Sequence, residues 1–162
     1  MRIIYVGNPI LRKRSAKITD FDDDLKEFVE RLTEVMYTED GVGLAAPQVG
    51  VLKRVIVFDD GSGSKVMINP VIVSSGNDTV VMEEGCLSVP GIYADISRPA
   101  SVNVRYQDID GRVIEELLEG YAARIVQHET DHLDGRLFID YLSSAKKIAL
   151  RPQLVEIMKG NV

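Results

Sequence analysis

Three residues late in the chain have the types and the spacing to bind a metal ion and to activate water. His128, Glu129 and His132 form an H-E-x-x-H pattern, and these are the only two histidines in the sequence. In a helix the two imidazoles lie one turn apart on the same face and can bind one ion, with Glu129 beside them to accept a proton. The alternative interpretation is a chance match, with both histidines hydrogen-bonded in a core.

The segment that contains this pattern is predicted to be a helix. Helical spacing relates Tyr121, Ile125, His128 and His132, so both histidines lie on an apolar, inward stripe. Gly135 follows where a left-handed residue commonly ends a helix. The pattern therefore predicts a buried helix rather than a surface one.

A catalytic site of this kind needs a third protein ligand and leaves one position open. The third ligand must be Cys86, the only thiol, or a carboxylate. One class of zinc proteases has a histidine where this sequence has Phe138, and another uses a downstream glutamate, for which only Glu156 remains. Because Glu156 lies in a basic segment, Cys86 is the better candidate, although a free cysteine is usually a small buried apolar residue.

Residues 41–50, which read G-V-G-L-A-A-P-Q-V-G, form a second segment of interest. The small residues let the backbone approach another group closely, but no phosphate-binding motif is present. Two interpretations remain: a tight turn between helix and strand, or a strand that lines a substrate site into which Gln48 donates a hydrogen bond.

Composition indicates one ordinary globular domain, residues 1–162, with 45% hydrophobic and 27% charged residues. No apolar run is long enough to span a membrane, and a single cysteine fits a reducing compartment, most simply the cytoplasm. The net charge of −6 argues against a general nucleic-acid or specific DNA binder. A basic C-terminal tail from Tyr141 onward nevertheless predicts a weak contact with the ribosome.

Hydrophobic periodicity predicts an N-terminal helix and several strands. The helix is expected at 20–38 and a final amphipathic segment after Ser143 or Ser144, interrupted at Pro152. Strands are expected at 54–58, 66–74 and 101–107, with a hairpin back through 112–118. Residues 79–82 are apolar and β-branched, and the segment 83–91 around Cys86 has the composition of turns.

Three segments, in the same order, resemble the signature segments of the peptide deformylases. They are G-V-G-L-A-A-P-Q at 41–48, E-G-C-L-S at 84–88 and Q-H-E-T-D-H at 127–132. The resemblance implies an enzyme that removes the formyl group from the formyl-methionine N-termini of newly synthesised polypeptides and releases formate. The expected fold is α+β, with antiparallel sheets around a central metal-binding helix and helices near both chain ends.

The resemblance also implies roles for individual residues. Cys86, His128 and His132 would bind the metal, Glu129 would act as general base and acid, and Gln48 with the backbone N–H of Leu87 would stabilise the oxyanion. The metal would be iron(II), which zinc, nickel or cobalt can replace, because this ligand set suits several metals.

The same resemblance places the peptide against backbone at Val42, Gly43 and Gly85, and the methionine side chain near Tyr121 and Ile125. Core packing is an equally good interpretation of the last two residues. Two other functions remain open: a zinc endopeptidase, and a non-catalytic module with a structural metal. Glu84 is expected to support a ligand, and Arg98 to pair with Asp131.

Overall fold

The structure, a computed structural model, describes residues 1–160. Its α-helices are α1 (Asp23–Thr38), α2 (Gly120–Leu133) and α3 (Ser144–Met158). The strands are β1 (Gly43–Ala45), β2 (Val55–Asp59), β3 (Ser64–Ser75), β4 (Thr79–Cys86), β5 (Val89–Pro99), β6 (Ser101–Gln107) and β7 (Val113–Glu119). Short 3-10 helices cover Pro9–Arg12, Ala46–Val49 and Phe138–Tyr141. No helix in the described part of the chain is long and apolar enough to cross a membrane.

Two antiparallel sheets flank helix α2. The larger sheet has the strand order β1-β2-β3-β6-β7, so β1 is one of its edges, and the smaller sheet is the β4–β5 hairpin. The predicted β6–β7 hairpin is confirmed, with Gly111 at φ +85° in its turn. This α+β arrangement confirms the fold class expected from the sequence.

Helices cover both faces of the strand β2, which explains its unbroken run of apolar residues. Ile56 and Phe58 pack with Ile125 and Val126 of α2. Val55 and Val57, whose side chains point the opposite way, pack with residues of α1. Helix α2 is thereby held against the centre of the large sheet.

The β4–β5 hairpin corrects part of the expectation of turns at 83–91, since Leu87 and Ser88 form a turn but the residues before them are in a strand. Strand β4 continues to Cys86 and β5 starts at Val89, so only two residues separate them. Glu83 pairs with Asp95 and Gly85 with Tyr93 across the hairpin. Pairing with a neighbouring strand, rather than local residue preference, makes this polar segment extended.

The two terminal helices also differ from the sequence-based bounds. Helix α1 begins at Asp23 because the Asp22 carboxylate caps it, accepting a hydrogen bond from the N–H of Leu25 at 3.0 Å. Helix α3 is capped by Ser143 and continues through Pro152 without interruption. Its Ile157 is buried whereas Ile148 is largely exposed, so α3 is at most weakly amphipathic.

Candidate metal centre

The side chains of Cys86, His128 and His132 converge beside a cleft that Cys86 and His128 line. One potential ligand atom from each lies within 4.8 Å of the others. The thiol sulfur of Cys86 is 3.4 Å from Nε2 of His132. The structure therefore brings together the thiol and the two imidazoles that the sequence singled out.

Helix α2 positions both histidines because it is buried on almost every side from Ala123 to Thr130. Its C-terminal end is fixed by hydrogen bonds to the carbonyl of Leu133, from the Arg54 guanidinium at 3.0 Å and the Ser15 N–H at 2.8 Å. Burial lowers the pKa of His132, which favours the neutral imidazole that can bind a metal.

Cys86 lies at the end of β4, where the pairing of the hairpin shifts register between Gly85 and Cys86. Residues two apart in a strand share a face, so the thiol faces α2 on the same side as Glu84, which contacts His128. Cys86 is only partly buried, unlike the inert core cysteine of the alternative interpretation.

Glu129 lies beside the two histidines and is almost fully buried. Its Oε1 has no hydrogen-bond partner in the described part of the chain and is 3.9 Å from Nε2 of His132. Burial raises the pKa of Glu129 to about 7. A carboxylate with such a pKa can both accept and release a proton near neutral pH.

Gly43 is a glycine because Glu129 fills the space where a side chain would lie. A Cβ at this position would overlap the Glu129 carboxylate and lie 2.8 Å from Cγ2 of Ile125. The close backbone approach predicted for residues 41–50 is therefore an approach of strand β1 to helix α2.

Gln48 is oriented by hydrogen bonds at both ends of its amide. Its Oε1 accepts a hydrogen bond from the Ala45 N–H at 2.9 Å, and its Nε2 donates to Ser88 Oγ at 3.1 Å. The same Nε2 is 3.4 Å from the Cys86 sulfur. The amide N–H₂ of Gln48 therefore points toward the converging side chains.

Glu84 supports His128 through the ring nitrogen Nδ1. Its Oε1 lies 2.8 Å from Nδ1 of His128, and Arg98 binds both carboxylate oxygens at 2.6 and 3.0 Å. Burial alone would raise the pKa of Glu84, but the hydrogen bonds from His128 and Arg98 outweigh it and lower the pKa far below its ordinary value. Glu84 is therefore a fixed anion that orients the imidazole.

The predicted pairing of Arg98 with Asp131 is confirmed by a distance of 2.9 Å. Asp131 also accepts a hydrogen bond from the Tyr141 hydroxyl at 2.9 Å. An isolated ion pair would tolerate an exchange of its two charges. Here Arg98 binds Glu84 as well, so an acidic residue at position 98 would lie beside Glu84. The pair thus belongs to a buried network rather than standing alone.

Sequence reasoning missed two residues of this region, Arg124 and Ser88. Arg124 contacts Glu84 at 2.6 Å, and Ser88 accepts the hydrogen bond from Gln48. One signal in the sequence was available: Arg124 precedes His128 by four positions, which places it on the same inward face of the helix.

The cleft above the three converging residues has a volume of about 490 Å³. Among the residues proposed for substrate contact, Val42 and Tyr121 are exposed in its wall, whereas Ile125 is buried in the core and also reaches the cleft. The remaining lining includes the other residues named from the sequence, namely Gly43, Gly85, Leu87 and Gln48.

Neither of the alternative positions supplies a third ligand to this site. Phe138, at the position of the protease histidine, stacks on His128 with ring centroids 5.9 Å apart. Glu156 lies on α3 and is 3.7 Å from Lys159 at the surface. Within residues 1–160 the cluster contains three potential ligands and no fourth, which is the pattern of an open site.

Comparison with known proteins points in the same direction. The sequence model of the family described as polypeptide deformylase matches residues 1–148. A peptide deformylase from Thermotoga petrophila is 51% identical over 158 residues, which cover 98% of this chain and 96% of that protein.

Solved structures agree with the sequence comparison. A peptide deformylase crystal structure from Plasmodium falciparum superposes with a TM-score of 0.94 at 41% identity, covering 98% of this chain and 96% of that one. The enzyme from Thermotoga maritima gives a TM-score of 0.86 at 52% identity, over 88% of this chain and 97% of that one. Sequence, fold and the placement of the three signature segments together show that this chain belongs to the polypeptide deformylase family, metal-dependent hydrolases that remove the N-formyl group from newly synthesised polypeptides.

Proposed function

We propose that this chain removes formyl groups from formyl-methionine N-termini with Cys86, His128 and His132 as metal ligands and Glu129 as general base and acid. The observation that carries the proposal is the convergence of one sulfur and two imidazoles within 4.8 Å, beside a buried carboxylate. A thiolate with two imidazoles suits iron, zinc, nickel or cobalt. The proposed resident metal is iron(II), for which the other three can substitute.

A divalent ion bound here would supply Lewis-acid chemistry, lowering the pKa of a bound water and polarising the formyl carbonyl. The unpartnered Oε1 of Glu129 is the atom that accepts the proton of the attacking water. The same carboxyl group then delivers that proton to the departing amine, for which a pKa of about 7 is suitable.

Gln48 and the backbone N–H of Leu87 are proposed to stabilise the negative charge that develops on the formyl oxygen. The hydrogen bond from Ala45 fixes the Gln48 amide before any substrate arrives. A donor that is already oriented contributes more than one that must rearrange during the reaction.

The peptide is proposed to lie between strands β1 and β4. Strand β1 is an edge of the large sheet, so backbone groups near Val42 and Gly43 can pair with an extended chain, and Gly85 of β4 faces the same cleft. The methionine side chain enters beside Tyr121, Ile125 and His128. Backbone pairing is independent of side-chain identity, which suits an enzyme with many polypeptide substrates.

Three further parts of the proposal concern the setting of the enzyme. The chain acts as one catalytic domain, residues 1–162, in the cytoplasm. The basic C-terminal tail, with Lys146, Lys147, Arg151 and Lys159, makes a weak contact with the ribosome. From Tyr141 onward, only one acidic residue, Glu156, accompanies these four cations.

A formate-release assay with formyl-Met-Ala tests the reaction, in parallel with metal analysis after anaerobic purification. We expect Glu129→Ala to lose turnover while keeping metal, and Cys86→Ala to lose metal. Metal retained at full occupancy in Cys86→Ala would contradict the ligand assignment. Cleavage of an internal peptide bond without formate release would instead favour an endopeptidase.

A further inference from the structure

We propose that Arg124 is a positioning residue for His128 and that it acts through Glu84. This inference rests on the proposed metal site, in which His128 is a ligand. Arg124 fixes the Glu84 carboxylate, and this carboxylate orients the imidazole of His128.

Arg124, Glu84 and His128 are connected by direct contacts on one face of helix α2. Arg124 Nη1 lies 2.6 Å from Glu84 Oε2, and Glu84 Oε1 lies 2.8 Å from His128 Nδ1. Arg124 and His128 are four positions apart, so they are neighbours on the helix and bind the same carboxylate from adjacent turns. All three side chains are buried, which strengthens each of these charge-assisted hydrogen bonds.

The second arginine on Glu84 contacts it from a different element, strand β5. Two hydrogen bonds from Arg98 hold Glu84 against the β4–β5 hairpin, and the remaining guanidinium nitrogen of Arg98 reaches α2 only at Asp131, on the far side of His128 from Arg124 in the sequence. Arg124 belongs to the helix that carries His128, and it fixes Glu84 relative to that helix. With both arginines in place, the carboxylate has one orientation in which Oε1 faces the imidazole.

Arg124 also connects the helix to the strands that deliver Cys86. Its Nη1 donates to the carbonyl of Ile96 at 2.9 Å and its Nη2 to the carbonyl of Val80 at 2.6 Å. A guanidinium fork can bind two backbone carbonyls and a carboxylate at once, whereas a lysine ammonium is a single point. The geometry therefore requires arginine and not merely a positive charge.

The test compares Arg124→Met and Arg124→Lys with the wild-type protein and with Arg105→Met as a matched control. Arg105 is a largely exposed arginine on β6 that pairs with Glu115. Three quantities are measured: the affinity for cobalt(II), the visible spectrum of the cobalt(II) protein, and the thermal midpoint of the metal-free protein. We expect Arg124→Met to bind cobalt about 10- to 100-fold more weakly with a shifted spectrum, Arg124→Lys to be intermediate, and the control to match the wild type.

A double-mutant cycle with Glu84→Gln tests whether Arg124 acts through Glu84. We expect Arg124→Met to weaken cobalt binding much less in the Glu84→Gln background than in the wild type, because the two changes remove the same support. Fully multiplicative losses would overturn the inference, and so would a lower thermal midpoint with unchanged cobalt affinity and spectrum. If Arg124→Met does not fold, the Arg124→Lys variant decides, and wild-type affinity and spectrum in that variant would overturn the inference.

These outcomes are separate from those of the proposed function. A wild-type protein that binds cobalt but releases no formate would refute the deformylase reaction. The cobalt measurements on the Arg124 variants would still decide whether Arg124 positions His128. A wild-type protein with full activity, together with unaltered cobalt binding in the Arg124 variants, would refute only the inference.

Discussion

Replacing Gly43 with alanine tests whether Glu129 must occupy the position seen in the structure. The added Cβ would overlap the carboxylate of Glu129 and would lie 2.9 Å from its Cγ and 2.8 Å from Cγ2 of Ile125. Both carbon distances fall at least about 0.5 Å short of ordinary contact, which begins at 3.4 Å. Strand β1 is paired to β2 through Gly43 and Phe58, so the side chain of Glu129 has to move.

The size of the effect follows from this displacement. A misplacement of about 1 Å in a reacting group can cost about 100-fold in rate, so a shift of half that size or more should lower kcat by roughly 10- to 100-fold. The overpacked contact should also lower the free energy of unfolding by about 1–3 kcal/mol. Formate release under saturating substrate and urea denaturation measure the two quantities.

Two comparisons make this prediction refutable. Gly76→Ala is the matched control, because its added methyl group closely approaches only the hydroxyl of Ser101, which can rotate away. In a Glu129→Ala background, Gly43→Ala should destabilise the protein less, since the overlapping carboxylate is gone. Wild-type kcat and stability in Gly43→Ala would refute the reasoning.

Three other perturbations have definite expected outcomes. Gln48→Leu should lower kcat by about 10²–10³ with little change in KM, and unchanged kcat in formate-release kinetics would remove it from the oxyanion site. Removing the metal with a chelator should lower the thermal midpoint, because an ion at 100 times its Kd stabilises the folded state by about 2.7 kcal/mol. In calorimetry, the thermal midpoint of Cys86→Ala should not change when the chelator is added. Gly135→Ala should destabilise more than Gly50→Ala: both have left-handed φ, of +74° and +84°, but only a Cβ at 135 meets backbone, that of Arg12. Equal midpoints of the two glycine variants in urea would contradict that comparison.

The sequence pattern alone was sufficient to predict the elements that bury one face and expose the other. Strand β6 has the predicted bounds because its apolar and polar residues alternate, with Val102 and Val104 in the core. Helix α1 was found by its apolar spacing, and only its start differed. The histidine pair needed nothing beyond helical geometry, since both residues belong to one short segment.

Tertiary contacts determine the parts that pattern did not predict. Strand β5 contains Pro90 and Gly91, which usually indicate a turn; Gly91 does have a left-handed φ of +76°, and the strand continues past it because residues 93–99 pair with β4. The buried roles of Arg124 and Gln127 were also missed, because periodicity describes a helix with one wet face and α2 has almost none. A polar residue on such a helix is buried with its partners, and those partners come from distant strands.

The donors of the candidate metal centre reach it from two separate elements: helix α2, which packs on the large sheet, and the β4–β5 hairpin, which shares no hydrogen-bonded strand pair with that sheet in the described part of the chain. The two imidazoles are neighbours as soon as α2 forms, whereas the sulfur comes from a segment 46 residues before His132 and arrives only when the β4–β5 hairpin docks. A helix that forms early would therefore offer a metal ion only two of the three donors. Tight binding of the ion would require the β4–β5 hairpin to pack against the helix first. In a refolding experiment, we expect metal capture to coincide with the final collapse of the chain rather than with helix formation.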